Sequence, residues 1–231
     1  MARRLRKQKK ADETLVDIVE VRDQAQDFFE DNQKLIMGVL TALVLLVGGW
    51  FLYKNMFQAP REKEAIEQMF QAQVQFERDS FALALTNPGG AYGGFLDIAD
   101  TYSGTNAGNL ANYYAGICYL NLGKFDAAIE YLEDYSADGQ ITPVMKYGAL
   151  GDAYSEKGDF SGALSYYDKA VNNSDNDLLS AYYLKKLGML HEKQGDFAKA
   201  KAAYEKVKNE YPLSPYATDI DKYLIRVAQK G

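Results

Sequence analysis

The sequence predicts an all-α protein: one apolar helix of bilayer-spanning length near the N-terminus, then a solenoid of paired helices closed by a capping helix. Two observations carry this expectation. Leu35 to Tyr53 is a run of nineteen residues without a charge. Farther on, "EKGDFSGALSYYDKA" (Glu156–Ala170) is answered thirty-seven residues later by "KQGDFAKAKAAYEKV" (Lys193–Val207).

At ~1.5 Å per residue a nineteen-residue helix is roughly 29 Å long, close to the apolar thickness of a bilayer. Trp50, Phe51 and Tyr53 gather at its C-terminal end, where amphipathic rings favour the lipid–water interface. A signal peptide has a short leading region, whereas 34 residues precede this run and no small-x-small site follows it. Residues 35–53 therefore read as an uncleaved transmembrane helix. Within twenty residues of the run, two basic residues precede it (Arg22, Lys34) and three follow (Lys54, Arg61, Lys63), which decides nothing. The whole leading segment holds eight basic residues, and that favours a cytoplasmic N-terminus with the main domain outside.

The repeated phrase extends to a third copy. Gly123, Gly158 and Gly195 lie 35 and 37 residues apart. Gly116, Gly151 and Gly188 precede them by seven, and the rings Tyr119, Tyr154 and His191 by four. Phe125, Phe160 and Phe197 follow by two, Ala128, Ala163 and Ala200 by five, Leu132, Tyr167 and Tyr204 by nine. This is the tetratricopeptide (TPR) pattern of helix–turn–helix units about 34 residues long. Glycine inside a helix costs about 1 kcal/mol against alanine, so three in register imply close helix approach. Gly116 is expected to face Ala128, Gly151 Ala163, and Gly188 Ala200. The later glycines are expected as left-handed caps, with Asp159 and Asp196 accepting from the next helix's amides.

The flanks complete the plan. Phe95, Ile98 and Tyr102 share the spacing of Tyr204, Val207 and Tyr211, which marks a degenerate repeat whose first helix runs from about Glu62 to Leu85. Ser214-Pro215 reads as a helix start, followed by an apolar stripe of Ile220, Tyr223, Leu224 and Val227. The expected division is thus 1–34 cytoplasmic tail, 35–53 transmembrane helix, 54–108 helical linker and degenerate repeat, 109–214 three repeats, and 215–231 capping helix. Within the tail, Leu15, Ile18, Val19, Phe28 and Phe29 suit an amphipathic helix that docks on a partner or lies on the bilayer.

Composition argues against several function classes. Residues 55–231 carry 17 Lys/Arg against 24 Asp/Glu, so no nucleic-acid ligand is expected. The basic cluster of Arg3, Arg4, Arg6, Lys7, Lys9 and Lys10 suits contact with anionic lipid or ribosomal RNA, but reads first as a solvated tail. One Cys and one His exclude a Cys/His zinc site within one copy. Cys118 and His191 fall two repeats apart, roughly 20 Å at 8–10 Å per layer, too far for a nucleophile–base pair. His191 takes the slot of Tyr119 and Tyr154 and reads as a packing residue, Cys118 as a buried thiol. Gly89-Gly90 and Gly93-Gly94 lack the Lys-Ser/Thr of a phosphate loop. No catalytic, cofactor or metal residue is expected.

Function is then expected on a surface. The first helices of successive repeats line a groove in such solenoids, and the helical register places Tyr113, Ile117, Met145, Asp152, Tyr182, Lys185 and Met189 along it. Lys185 is available to grip a C-terminal carboxylate, but Met189 one turn on, with Gly148 and Asp152 in the preceding repeat, argues against such a clamp.

The short tail, single span and TPR domain ending "YPLSPYATDIDKYL", with "YSGTNAGNLANYYAGICYLNLGKF" inside it, resemble the YfgM-like ancillary subunits of the bacterial SecYEG translocon, in versions from Bacteroidetes-type bacteria. The resemblance implies an inner-membrane protein with a periplasmic TPR domain. Its implied partners are a SecYEG-type translocon, a membrane-anchored periplasmic chaperone and unfolded secretory chains, with the lipid bilayer contacted by residues 35–53. The alternatives are a general envelope-assembly scaffold and a mitochondrial-type import receptor with cytosolic repeats.

Overall fold

The computed structural model describes residue 26 and residues 28–230. The basic cluster from Arg3 to Lys10 and the apolar positions Leu15, Ile18 and Val19 lie outside these residues. Every regular element among the described residues is helical. The chain divides into two units, residues 1–59 and 60–231.

In the first unit, α1 (Gln33–Tyr53) runs into a π-helical turn, Lys54–Gln58. No residue of α1 is buried, and Leu46 and Trp50 are 71% and 62% exposed. A helix apolar on every face with no protein packed on it is suited to lipid. Its polar groups close on themselves: Thr41 donates to the Met37 carbonyl at 2.8 Å, and Asn55 to the Phe51 carbonyl at 2.9 Å. The helix is long and apolar enough to cross a bilayer.

The second unit is a row of paired helices. It comprises α2 (Ala59–Glu77), α3 (Phe81–Thr86), α4 (Phe95–Thr101), α5 (Asn106–Asn121), α6 (Phe125–Asp134), α7 (Thr142–Lys157), α8 (Phe160–Asn172), α9 (Asp177–Lys193), α10 (Phe197–Glu210) and α11 (Ile220–Ala228). The pairs α5/α6, α7/α8 and α9/α10 are the three repeats. Gly123, Gly158 and Gly195 have φ of +71°, +86° and +80°, the left-handed conformation that ends α5, α7 and α9. Asp159 and Asp196 then cap the second helices by accepting from the Gly162 and Lys199 amides. Lys124 holds the same place before α6 and, having no acceptor, forms no side-chain cap.

The helix-interior glycines lie nearest not to the alanines expected for them but to a larger residue, although a Cβ on Gly116 would also stand 3.2 Å from the Ala128 carbonyl oxygen. A Cβ on Gly151 would lie 2.5 Å from Tyr167 Cδ1, one on Gly188 2.3 Å from Tyr204 Cε1, and one on Gly116 2.6 Å from Leu132 Cγ. The facing residue is thus one turn beyond each alanine. A large side chain needs the space a glycine leaves, whereas Ala128, Ala163 and Ala200, each fully buried, fit without it.

The ring slot is filled as the pattern implies. Tyr119 meets Tyr131 at 5.4 Å and Tyr154 meets Tyr166 at 5.2 Å, centroid to centroid. In the third repeat Ala203 replaces the second ring, and His191 Nδ1 is buried without a hydrogen-bond partner. Burial holds the His191 pKa below its usual 6.5. An unfolded chain therefore takes up this proton at higher pH than the folded one, so stability falls as pH drops below about 6.5. Urea unfolding at pH 7.5 and 5.5 is expected to show that fall, and His191→Tyr to lessen it.

The degenerate repeat differs from expectation in one respect. The stretch 62–85 is two helices, because Asp79 adopts φ +55° and the Ser80 amide turns back to the Gln75 carbonyl at 2.9 Å. Phe95 and Ile98 still form a buried cluster with Met69, Ala72, Ala111 and Cys118. The Glu62 carboxylate accepts from the Asn106 and Ala107 amides at 2.6 and 3.0 Å, placing negative charge at the N-terminus of α5. At the other end Ser214 caps a 3₁₀ turn, Pro215–Ala217, and the α-helix begins only at Ile220. Ile220 and Val227 are buried, covering the open side of α9 and α10. Arg226–Glu192 at 2.6 Å and Lys208–Asp221 at 2.7 Å secure α11 from its two sides.

Candidate docking surface

The seven groove residues predicted from the register fall on α5, α7 and α9, the first helices of the three repeats. Their environments differ. Met145 and Met189 are 37% and 46% exposed and present flexible apolar tips. Ile117 is half-buried beside Leu150 and Ala153. Tyr113 is half-buried between Tyr114 and Tyr135, 6.1 and 5.3 Å away, and burial pushes its hydroxyl up to about 12. Tyr182 sits between Tyr183 and Tyr216 at 4.9 and 5.1 Å.

Asp152 and Tyr182 are brought together by a residue the sequence reading passed over. Lys186 Nζ lies 2.5 Å from Asp152 Oδ1 and 4.9 Å from the Tyr182 ring. Tyr167 donates its hydroxyl to the same carboxylate oxygen at 2.5 Å. Burial opposes the charge on Lys186, but the Asp152 carboxylate outweighs it and the lysine pKa is raised. Burial and that carboxylate together push the Tyr167 hydroxyl well above its usual range. This unit ties α7, α8 and α9 into one surface. It borders a hollow of about 500 Å³ lined by Leu120, Phe125, Asp152, Glu156 and Tyr167.

Lys185 does not join it. Its ammonium pairs with Asp219 at 2.7 Å and lies 4.5 Å from the Tyr223 ring, committed to the capping segment. Helical register alone leaves Lys185 available, since its partner Asp219 lies in a segment with no repeat pattern. Lys186 is one residue further round the helix, at the step that faces the preceding repeat, and that register was its signal.

Nothing in the arrangement points to covalent chemistry. Cys118 is fully buried and its thiol is pushed up to about 12 by burial. Among the described residues no three His, Cys, Asp or Glu side chains are grouped to hold a metal ion.

Residues 110–137 and 144–209 match the tetratricopeptide-repeat family. Two solved structures share the arrangement of helices. One is the crystal structure of the MamA protein, with TM-score 0.53 and 19% identity over 72% of this chain and 91% of that one. The other is a putative kinesin light chain with nearly identical TPR-like repeats from Podosopora anserina, with TM-score 0.57 and 15% identity over 73% and 87%. No curated protein matches the sequence. The second unit thus has the fold of a tetratricopeptide-repeat solenoid, with residues 110–137 and 144–209 similar to the family's repeats, and such repeats serve protein–protein interaction. In this chain the solenoid follows an apolar helix long enough to span a bilayer.

Proposed function

We propose that the protein is a non-enzymatic, membrane-anchored interaction subunit of the bacterial protein-export channel. In this reading α1 crosses the inner membrane with the N-terminus cytoplasmic and the repeats periplasmic. The surface of α5, α7 and α9 docks a periplasmic chaperone or an emerging chain. The observation that carries the anchoring is that no residue of the apolar α1 is buried, whereas the apolar residues of the repeat unit are largely packed inside. The sequence resemblance to translocon-associated TPR subunits supports the choice of export. Tethering raises the effective concentration of weakly held partners, so exposed Met145 and Met189 need contribute only modest affinity.

The test is copurification from native membranes after mild crosslinking, paired with an alkaline phosphatase fusion after Gly231. Translocon components in the pull-down and an active periplasmic fusion are expected. A fusion active only as a cytoplasmic reporter would reverse the topology. Absence of translocon components would remove the export reading.

A further inference from the structure

The junctions between repeats carry a second pattern, unrelated to the packing of the helices. At three successive repeat junctions an acidic residue precedes an aliphatic one by three positions: Asp138 and Ile141, Asp175 and Leu178 (in the first turn of α9), and Glu210 (the last residue of α10) and Leu213. The rungs are 37 and 35 residues apart, the period of the repeats themselves. All six side chains are exposed, and Ile141, Leu178 and Leu213 are 51%, 48% and 99% exposed. Repeat-internal aliphatics such as Leu132 and Leu150 are buried, so these three are not failed core positions.

The surroundings leave the rungs unoccupied from within. Asn176 and Ser214, the polar residues beside the second and third rungs, are already engaged in accepting the Leu178, Leu179 and Tyr216 amides. Asp138, Asp175 and Glu210 have no ion-pair partner among the described residues, while nearby Lys208 is held by Asp221. Between the second and third rungs lies a hollow of about 440 Å³ lined by Leu178, Glu210, Pro212, Leu213 and Pro215. Two prolines fix the backbone around Leu213, so little entropy is lost when that side chain is covered.

We propose that this rim is a docking ladder for an extended segment of another protein that carries one basic and one apolar side chain in every three residues. Charge complementarity selects the partner. Each apolar contact has a carboxylate beside it, the repeat region carries 24 acidic against 17 basic residues, and an anionic lipid surface is repelled. Geometry selects the extended form. Repeats stack at about 10 Å, and a polyproline-II chain advances about 3.1 Å per residue with three residues per turn, so every third residue of the partner faces a rung. The rim adjoins the first-helix surface, since the Ile141 carbonyl accepts the Met145 amide at 3.1 Å one turn on, and substituting the two sets separately tells them apart.

The probe is a fluorescein-labelled (Lys-Leu-Ser)4 peptide titrated against the full chain in phosphatidylcholine nanodiscs, with empty nanodiscs as background. Saturable binding is expected to weaken at least tenfold in Ile141→Ser/Leu178→Ser/Leu213→Ser, whose circular dichroism is expected to be unchanged. Asp138→Asn/Asp175→Asn/Glu210→Gln is expected to weaken it and flatten its salt dependence, and (Glu-Leu-Ser)4 not to bind. The proposal is overturned if the lysine peptide fails to bind the parent protein, if the glutamate peptide binds equally, or if only Met145→Ser/Met189→Ser abolishes binding.

Discussion

Gly151→Leu is expected to destabilise the repeat region strongly. A Cβ at this position would already stand 2.5 and 2.6 Å from two carbons of the Tyr167 ring, and leucine adds three carbons beyond it. The ring is held in place. Tyr167 is 5% exposed, and its hydroxyl is tied to Asp152, which also holds Lys186 of the next repeat. Overpacking typically costs about 1–3 kcal/mol, and more where helices must separate. In a solenoid each repeat is stabilised by its neighbours, so a central fault removes two interfaces. A loss above ~3 kcal/mol lowers Tm by about 10 °C in a chain of this size. Thermal melting followed by circular dichroism measures it, and Gly151→Leu/Tyr167→Ala is expected to recover part of the loss. An unchanged Tm in the single variant would show that the ring does not lie on the glycine.

Val44→Arg/Leu46→Arg is expected to release the protein from membranes. Both side chains are exposed near the middle of α1, at 69% and 71%. An arginine at a bilayer centre costs about 2.5–3.5 kcal/mol on insertion scales, so two of them remove most of the gain from an otherwise uncharged span. The parent protein should resist carbonate extraction, and the variant should appear in the soluble fraction. A soluble parent protein would mean that α1 does not span the bilayer.

The repeats were legible in the sequence because their constraints are local and recur. Gly158 and Gly195 end helices, and Asp159 and Asp196 start them, within a few residues of chain. The facing partner of Gly151 was not legible to one turn. A helix face admits residues at both i+4 and the next turn, and only the crossing of α7 and α8 selects Tyr167 over Ala163. The break at Asp79 was missed because "ERDSF" holds no glycine or proline to announce a left-handed residue. On the candidate surface the register placed residues on the correct helices but said nothing of their long-range partners. Lys185 is taken by Asp219, thirty-four residues away, and Lys186 by Asp152, also thirty-four away. Such pairings follow from how repeats stack, which a helical projection does not contain. The rungs at the repeat junctions lie outside the helix-packing positions that define the repeat, so the repeat pattern does not reveal them.

The most direct test of the interaction surface is site-specific photo-crosslinking in native membranes, with the reactive residue placed in turn at Met145, Met189 and Lys206. Met145 and Met189 lie on the first helices α7 and α9, whereas exposed Lys206 lies on the second helix α10. The expected result is crosslinking to a chaperone or translocon component from both methionine positions and none from Lys206. Crosslinks from Lys206 alone, or the same partners from all three positions, would contradict docking on the first-helix surface.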